Sequence, residues 1–168
     1  MAVNLTLSLG IRGRETLALD LGTALMEHTI DRVVETATGT VDNQQDRIWS
    51  DTRTLVATSE SLDFNNSLSG ALAGTLLTFA EVRGIYIRNK AAAAAQVLTV
   101  GNAASPAFTG LFGAAAHTIT IPAGGVFLWT APLDGGGLTV TGGTNDTLKV
   151  DSGANTVTYD IVVWGVSA

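Results

Sequence analysis

The chain has 168 residues and a formal net charge of −6, and only 14% of its residues are charged. Nucleic-acid binding requires clustered cations, whereas the nine Lys and Arg residues here are scattered, so we expect no nucleic-acid partner. There is no cysteine, which excludes disulfides and thiolate sites. Hydrophobic residues make up 46% of the chain but aromatic residues only 6%, so most of the apolar content is Ala, Val and Leu.

The sequence contains no signal for a membrane or for export. No apolar run approaches the ~20 residues that span a bilayer, so we expect no membrane partner. The first ten residues, MAVNLTLSLG, lack both the positive start and the unbroken apolar core of a signal peptide. Synthesis in a cytoplasm is therefore expected.

The N-terminal residues alternate between apolar and polar side chains, which is the period of a β-strand. The apolar positions of this series are Val3, Leu5, Leu7, Leu9 and Ile11. The polar sequence RGRE predicts a turn, after which Leu17, Leu19 and Leu21 continue the alternation, so a hairpin is expected. A helix over residues 23–34 is the alternative for the following segment, because several apolar residues there lie near helical spacing. Its β-branched residues disfavour a helix.

Residues 36–66 are polar and acidic and predict loop or extended structure, with one strand in TRTLVAT and another in ESLDF. Five consecutive alanines, Ala91 to Ala95, are too few to sustain a helix because nucleation is costly. We predict a loop or a single turn there.

Beyond residue 76 the chain consists of short strand-like segments separated by glycine-rich turns such as PAGG, DGGG and GGTND. This pattern of short strands separated by glycine-rich turns is typical of an all-β sandwich. The predicted fold is an antiparallel, jelly-roll-like β-sandwich over residues 76–168. Residues 1–75 are predicted to form an extended N-terminal β arm or hairpin that takes part in assembly.

The distribution of charge points to contact with other subunits. Residues 1–75 carry five Arg and ten Asp or Glu, for a net −5, whereas residues 76–168 carry four basic and five acidic residues, for a net −1. An isolated sandwich usually places charges on outward positions to stay soluble and to block edge pairing. So few charges in 93 residues favour a body that packs against copies of itself or another protein.

No pattern of catalytic or metal-binding residues emerges. His28 and His117 are far apart, and neither has the spacing of a metal ligand set. Asp42, Asp46 and Asp51 lack the patterned oxygens of a calcium loop, and a solvated loop explains them better. The set Asn145, Asp146 and Asp151 is typical of turns. We therefore predict no catalytic, cofactor or metal residues, and no enzyme activity.

Two further features have competing interpretations. The run Asp134 to Gly137 lacks the lysine and helix of a phosphate-binding loop and is better explained by turns that require positive φ. Trp129 and Trp164 lie in strand patterns that favour packing, although a sugar-stacking platform is the alternative. Trp49 stands in a polar segment, where it anchors into its own core or into a pocket on a neighbour.

Four segments resemble a family of small virion structural proteins of tailed bacteriophages. They are RIWSDTRTL, LTFAEVRGIYIRN, ITIPAGGVFLWTAP and TLKVDSGANTVTYDIVVWG. The resemblance covers roughly residues 45–165, and its most specific parts are IWSDTRTL and YDIVVWG. Such proteins are often encoded beside the major capsid protein, and the resemblance implies a particle component without catalysis.

From these features we expect a capsid decoration, or cement, protein on the outer surface of the virion head. Its expected partners are the major capsid protein and further copies of itself, as a homo-oligomer that we expect to be a trimer placed where capsid hexamers meet. The alternative is a tail or adaptor component that recognises host glycans through exposed aromatic residues. For the decoration protein, the N-terminal strand, with Leu5, Leu7 and Leu9 as a buried face, is expected to add to a sheet of a neighbouring copy or of the capsid.

Overall fold

The computed structural model describes residues 2–69 and 76–167, and within these ranges the chain forms strands and loops without a helix. The strands are β1 (Leu5–Leu19), β2 (Gly22–Thr38), β3 (Gln44–Gln45), β4 (Arg47–Val56), β5 (Ser59–Asp63), β6 (Asn65–Ser69), β7 (Leu76–Thr78), β8 (Glu81–Asn89), β9 (Leu98–Gly101), β10 (Thr118–Ile121), β11 (Val126–Thr130), β12 (Leu138–Thr139), β13 (Thr147–Asp151) and β14 (Thr156–Val166). Nearly all pairings are antiparallel, so the prediction of an all-β chain with antiparallel sheets is confirmed.

Strands β1 and β2 form a long antiparallel hairpin, paired from Leu5 with Thr36 to Leu19 with Gly22. The turn predicted at RGRE is wrong, because β1 runs through it and the chain reverses instead at Asp20 and Leu21. The alternative of a helix over residues 23–34 is also wrong, since that segment belongs to β2. The short strand β3 pairs in parallel with the end of β2.

The remaining long strands form two sheets. One sheet has the order β11-β8-β14-β4, with β12 also paired to β8, and the other has the order β10-β9-β13-β5. The strands predicted in TRTLVAT and ESLDF are confirmed as β4 and β5. Although both lie before residue 75, β4 pairs with β14 and β5 with β13, so they belong to the same sheets as the C-terminal strands.

Both sheets contribute to one hydrophobic core. The alternate residues Val157, Tyr159, Ile161 and Val163 of β14 are fully buried, and Leu148 and Val150 of β13 pack in the same cluster. Sheets that bury one face each against a shared core are compatible with a β-sandwich. Segment 91–95 forms a loop that contains a turn, as expected for so short a run of alanine.

Candidate interaction site

The hairpin has two chemically different faces. Cross-strand partners lie on the same face, and successive residues of a strand alternate between faces. One side, termed the apolar face, carries Leu5, Leu7, Leu9, Ile11, Leu17, Leu19, Met26, Ile30 and Val34. The other, termed the charged face, carries Arg12, Arg14, Glu27, Asp31 and Glu35, and includes an ion pair of 3.7 Å between Arg12 and Asp31.

Most of the apolar face is open to solvent in the single chain. The side chains of Ile11, Leu17, Leu19 and Ile30 are 55%, 63%, 56% and 61% exposed. From strand geometry, fifteen residues extend over about 50 Å, and a two-stranded ribbon about 10 Å wide presents a face of about 500 Å². The largest apolar patch on a monomeric protein covers a few hundred Å² and is often functional, so this face is a candidate interaction surface, although Glu15 and Arg32 interrupt it.

The backbone edges of the hairpin are also unpaired over most of their length. Within the described residues, β1 has no strand partner on its outer edge, and β2 pairs on its outer edge only at Ala37 and Thr38. An isolated two-stranded hairpin is at best marginally stable in water. Such edges are templates for pairing with another chain.

A buried arginine fixes the base of the hairpin to the body. Arg83 of β8 is only 1% exposed, and each of its five N–H groups donates a hydrogen bond. The acceptors are the carbonyl oxygens of Thr40, Val41 and Gln44 and the carboxylates of Glu81 and Asp134. Since residues 40–44 follow β2 directly, this guanidinium holds the chain where the hairpin leaves the sheets.

The same junction is held by contacts to the loop around residue 134. The backbone N–H of Asn43 donates to the carbonyl oxygen of Pro132 at 2.8 Å, and that of Asp134 donates to Asp42 Oδ1 at 2.6 Å. The burial of Arg83 could not be predicted from the sequence, because all of its acceptors except Glu81 lie about forty to fifty positions away. Its sequence signal is an arginine followed by the largely apolar run GIYI.

A second buried polar group lies between the sheets. The hydroxyl of Tyr159, which is fully buried, donates to Glu60 Oε1 at 2.6 Å, and Arg53 donates to Glu60 Oε2. Burial, followed by the hydrogen bond to Glu60, raises the pKa of Tyr159, and the hydrogen bond to Glu60 raises the pKa of Arg53. These groups satisfy one another, so the arrangement is that of a structural network.

The two histidines are separate surface residues. His28 is exposed on the hairpin opposite Gly13. His117 is exposed before β10, and its Nδ1 lies 2.6 Å from the carbonyl oxygen of Phe112. The structure therefore does not bring the two imidazoles into one described site.

The Asp and Asn residues considered as metal ligands form hydrogen bonds or ion pairs within the chain. Asp42 caps the loop at residue 134, Asp46 accepts from the backbone and hydroxyl of Ser167, and Asp51 pairs with Arg53. Asn145, Asp146 and Asp151 accept from the backbone N–H groups of Thr109, Gly143 and Gly153, respectively. Across residues 2–69 and 76–167, no three His, Asp or Glu side chains are grouped closely enough to hold a metal ion.

The tryptophans are mostly inside the protein. Trp49 is 5% exposed and packs in its own core, which decides between the two interpretations of that residue. Trp164 is 4% exposed, whereas Trp129 is half-buried against the core. Within the run 134–137, Gly135 has φ of 66°, as a turn requires, and Gly137 lies against Glu81.

Comparison with protein family models, curated proteins and solved structures gave no match. In the part of the chain that the structure describes, we found no helix with the length and apolar character needed to cross a membrane.

Proposed function

We propose that this chain is a structural component of a bacteriophage virion, a capsid decoration protein that binds the outer shell as an oligomer and stabilises it. The observation that carries the proposal is the hairpin: a long ribbon with an exposed apolar face, fixed at its base to the body by Arg83. In this account the major capsid protein is the partner, a homotrimer is the expected assembly, and the chain performs no catalysis.

We also propose that the body is a jelly-roll sandwich. Taking the eight principal strands β4, β5, β8, β9, β10, β11, β13 and β14 in chain order, the first pairs with the last and the second with the seventh. The third pairs with the sixth and the fourth with the fifth. This nested antiparallel pairing is what results when one long double-stranded ribbon is rolled into two sheets. Jelly rolls occur in viral capsid and lectin domains, but fold alone does not fix function.

In this proposal the hairpin is the assembly arm and the sheets are the body. The unpaired edges of β1 and β2 offer backbone groups that an exposed strand of the capsid protein could extend by β-augmentation. Contacts that form only on the mature shell lower the free energy of that state and stabilise it by mass action.

The test is binding of the purified protein to phage heads that lack it, measured by co-sedimentation. A variant without residues 2–38 is expected to keep its β-rich circular dichroism spectrum and lose most binding. A matched variant in which Arg14 and Glu27 of the charged face are exchanged should bind like the parent. If the shortened protein binds heads as well as the parent does, the arm assignment is wrong.

A tail or adaptor component that binds host glycans is the second candidate. It rests on Trp129, which is half-buried and therefore retains some surface for sugar stacking. Replacing Trp129 with Leu would abolish cell or glycan binding under this candidate and leave head binding unchanged under the first.

A further inference from the structure

The apolar face of the hairpin contains two charged residues among its aliphatic side chains. Within β1 and β2 these are Arg32, which lies opposite Leu9, and Glu15, which lies opposite Met26. A charged group on a surface that becomes buried is costly unless it finds an opposite charge. A partner that supplies an acid near Arg32 and a base near Glu15 is therefore favoured over one that does not.

We propose that a second copy of this chain covers the apolar face, with the two hairpins stacked face to face and running in opposite directions. The row of Arg12 lies midway between the rows of Arg32 and Glu15. When the two-fold axis crosses both strands at that row, β1 lies over β1 and β2 over β2, so Arg32 lies over Met26, Glu15 lies over Leu9, and Arg32 of one copy meets Glu15 of the other diagonally. By symmetry the same contact forms twice, as an isologous interface requires.

On β1 the same register also matches side-chain sizes. Ile11 of one copy lies over Gly13 of the other, so a large side chain meets a position without one, whereas on β2 Ile30 lies over His28. Leu7 lies over Leu17, and Leu5 lies over Leu19, which places apolar groups opposite each other at both ends. The apolar faces of two copies of the hairpin are therefore complementary to each other on β1.

The opposite arrangement, with the hairpins stacked in the same direction, is disfavoured by charge. It places β1 over β2 in the same row, so Arg32 lies over Leu9 and diagonally beside Arg32 of the other copy, with Glu15 likewise beside Glu15, and like charges across an interface are unfavourable. The charge pattern of the apolar face thus favours a second copy stacked in the opposite direction.

The area is adequate for a specific contact. Two faces of about 500 Å² each bury about 1,000 Å² in total, which reaches the lower range of specific interfaces. The inference rests on the proposed function only in taking the protein as an oligomer, and the two-fold hairpin contact then joins pairs of chains that belong to different homotrimers. Because it uses the hairpin face, the sheets and the outer edges of β1 and β2 stay available for other contacts.

Charge reversal tests the pairing in the full chain, in the absence of phage heads. Sedimentation velocity at low salt should show self-association that weakens about tenfold or more in Arg32→Glu and in Glu15→Arg. The double variant R32E/E15R should recover most of the lost association, because each new charge again meets its opposite. Arg14→Glu on the charged face is the matched control and should associate like the parent.

Three results would overturn the inference: single reversals without effect, a double variant as weak as the singles, or a control as weak as Arg32→Glu. Circular dichroism of each variant shows whether the strands are retained, and the rescue by the double variant separates pairing from unfolding. Since no heads are present, a failure here leaves the proposed shell binding untouched. Shell binding that fails while the charge pattern holds would refute the function and leave the pairing in place.

Discussion

The guanidinium of Arg83 donates to the carbonyl oxygen of Val41 at 2.6 Å, joining a central strand of the body to the segment that follows the hairpin. Arg83 is almost completely buried, and it uses all five of its donors. A planar guanidinium can reach several carbonyl oxygens and carboxylates at once, which an ammonium group cannot do. Arg83 therefore contributes several of the contacts that hold the base of the hairpin, beside those of Asp42 and Asn43.

Replacing Arg83 with Met should lower the free energy of unfolding by about 3–5 kcal/mol, because buried carbonyl and carboxylate acceptors lose their donors. Arg83→Lys should be intermediate, since it keeps the charge with fewer donors in a different geometry. Denaturant unfolding measures both. Arg88→Met, on the same strand but exposed, is the control and should change stability by about 0.5 kcal/mol or less. Equal losses at positions 83 and 88 would contradict this assignment.

Tyr159 should make stability depend on alkaline pH. Its pKa is raised in the folded protein, chiefly by burial, above the value of about 10 for an unfolded tyrosine. Above pH ~10 the unfolded chain therefore loses a proton that the folded chain keeps, and the free energy of unfolding falls by up to about 1.4 kcal/mol per pH unit. Below pH ~10 the contribution is fully present.

The variant Tyr159→Phe should be less stable by about 1 kcal/mol at neutral pH, through loss of the hydrogen bond to Glu60, and its decline above pH ~10 should be shallower. Denaturant unfolding between neutral and alkaline pH provides the comparison. Tyr86→Phe alters the other tyrosine of the chain and should retain the steep decline. Parallel curves for the parent and Tyr159→Phe would show that Tyr159 does not cause the effect.

The contact between Gly84 and Trp164 tests the packing of β8 against β14. A Cβ added at Gly84 would overlap the ring of Trp164, which lies in the neighbouring strand. Gly84→Ala should therefore cost about 1–3 kcal/mol through overpacking, measured as a lower free energy of unfolding. In the double variant G84A/W164L the alanine should cost much less than it does beside the tryptophan. Additive effects of the two changes would mean that the ring and position 84 do not compete for space.

The strands of the body could be predicted from sequence where one face is buried. In β14, Val157, Tyr159, Ile161 and Val163 alternate with Thr158, Asp160 and Val162, and the first set is fully buried. Period-two alternation reports this kind of burial directly. The strands β4 and β5 were found for the same reason, whereas their pairing with β14 and β13 depends on long-range contacts that the sequence does not encode locally.

The solvent exposure of the hairpin explains why the turn predicted at RGRE is wrong. RGRE has turn composition, but in β1 its two arginines lie on the charged face, where their side chains remain in solvent. A strand exposed on both sides accepts charges that a half-buried strand would exclude. The burial of Arg83 could not be predicted either, because it depends on loops distant in sequence that meet only in the folded chain.

Electron cryomicroscopy of intact phage particles that contain this chain tests the central claim most directly. The account predicts density for the two-sheet body on the outer surface of the head, at regular positions where capsid subunits meet, and loss of that density in particles made without the protein. Density confined to the tail, or heads unchanged by removal of the protein, would contradict it.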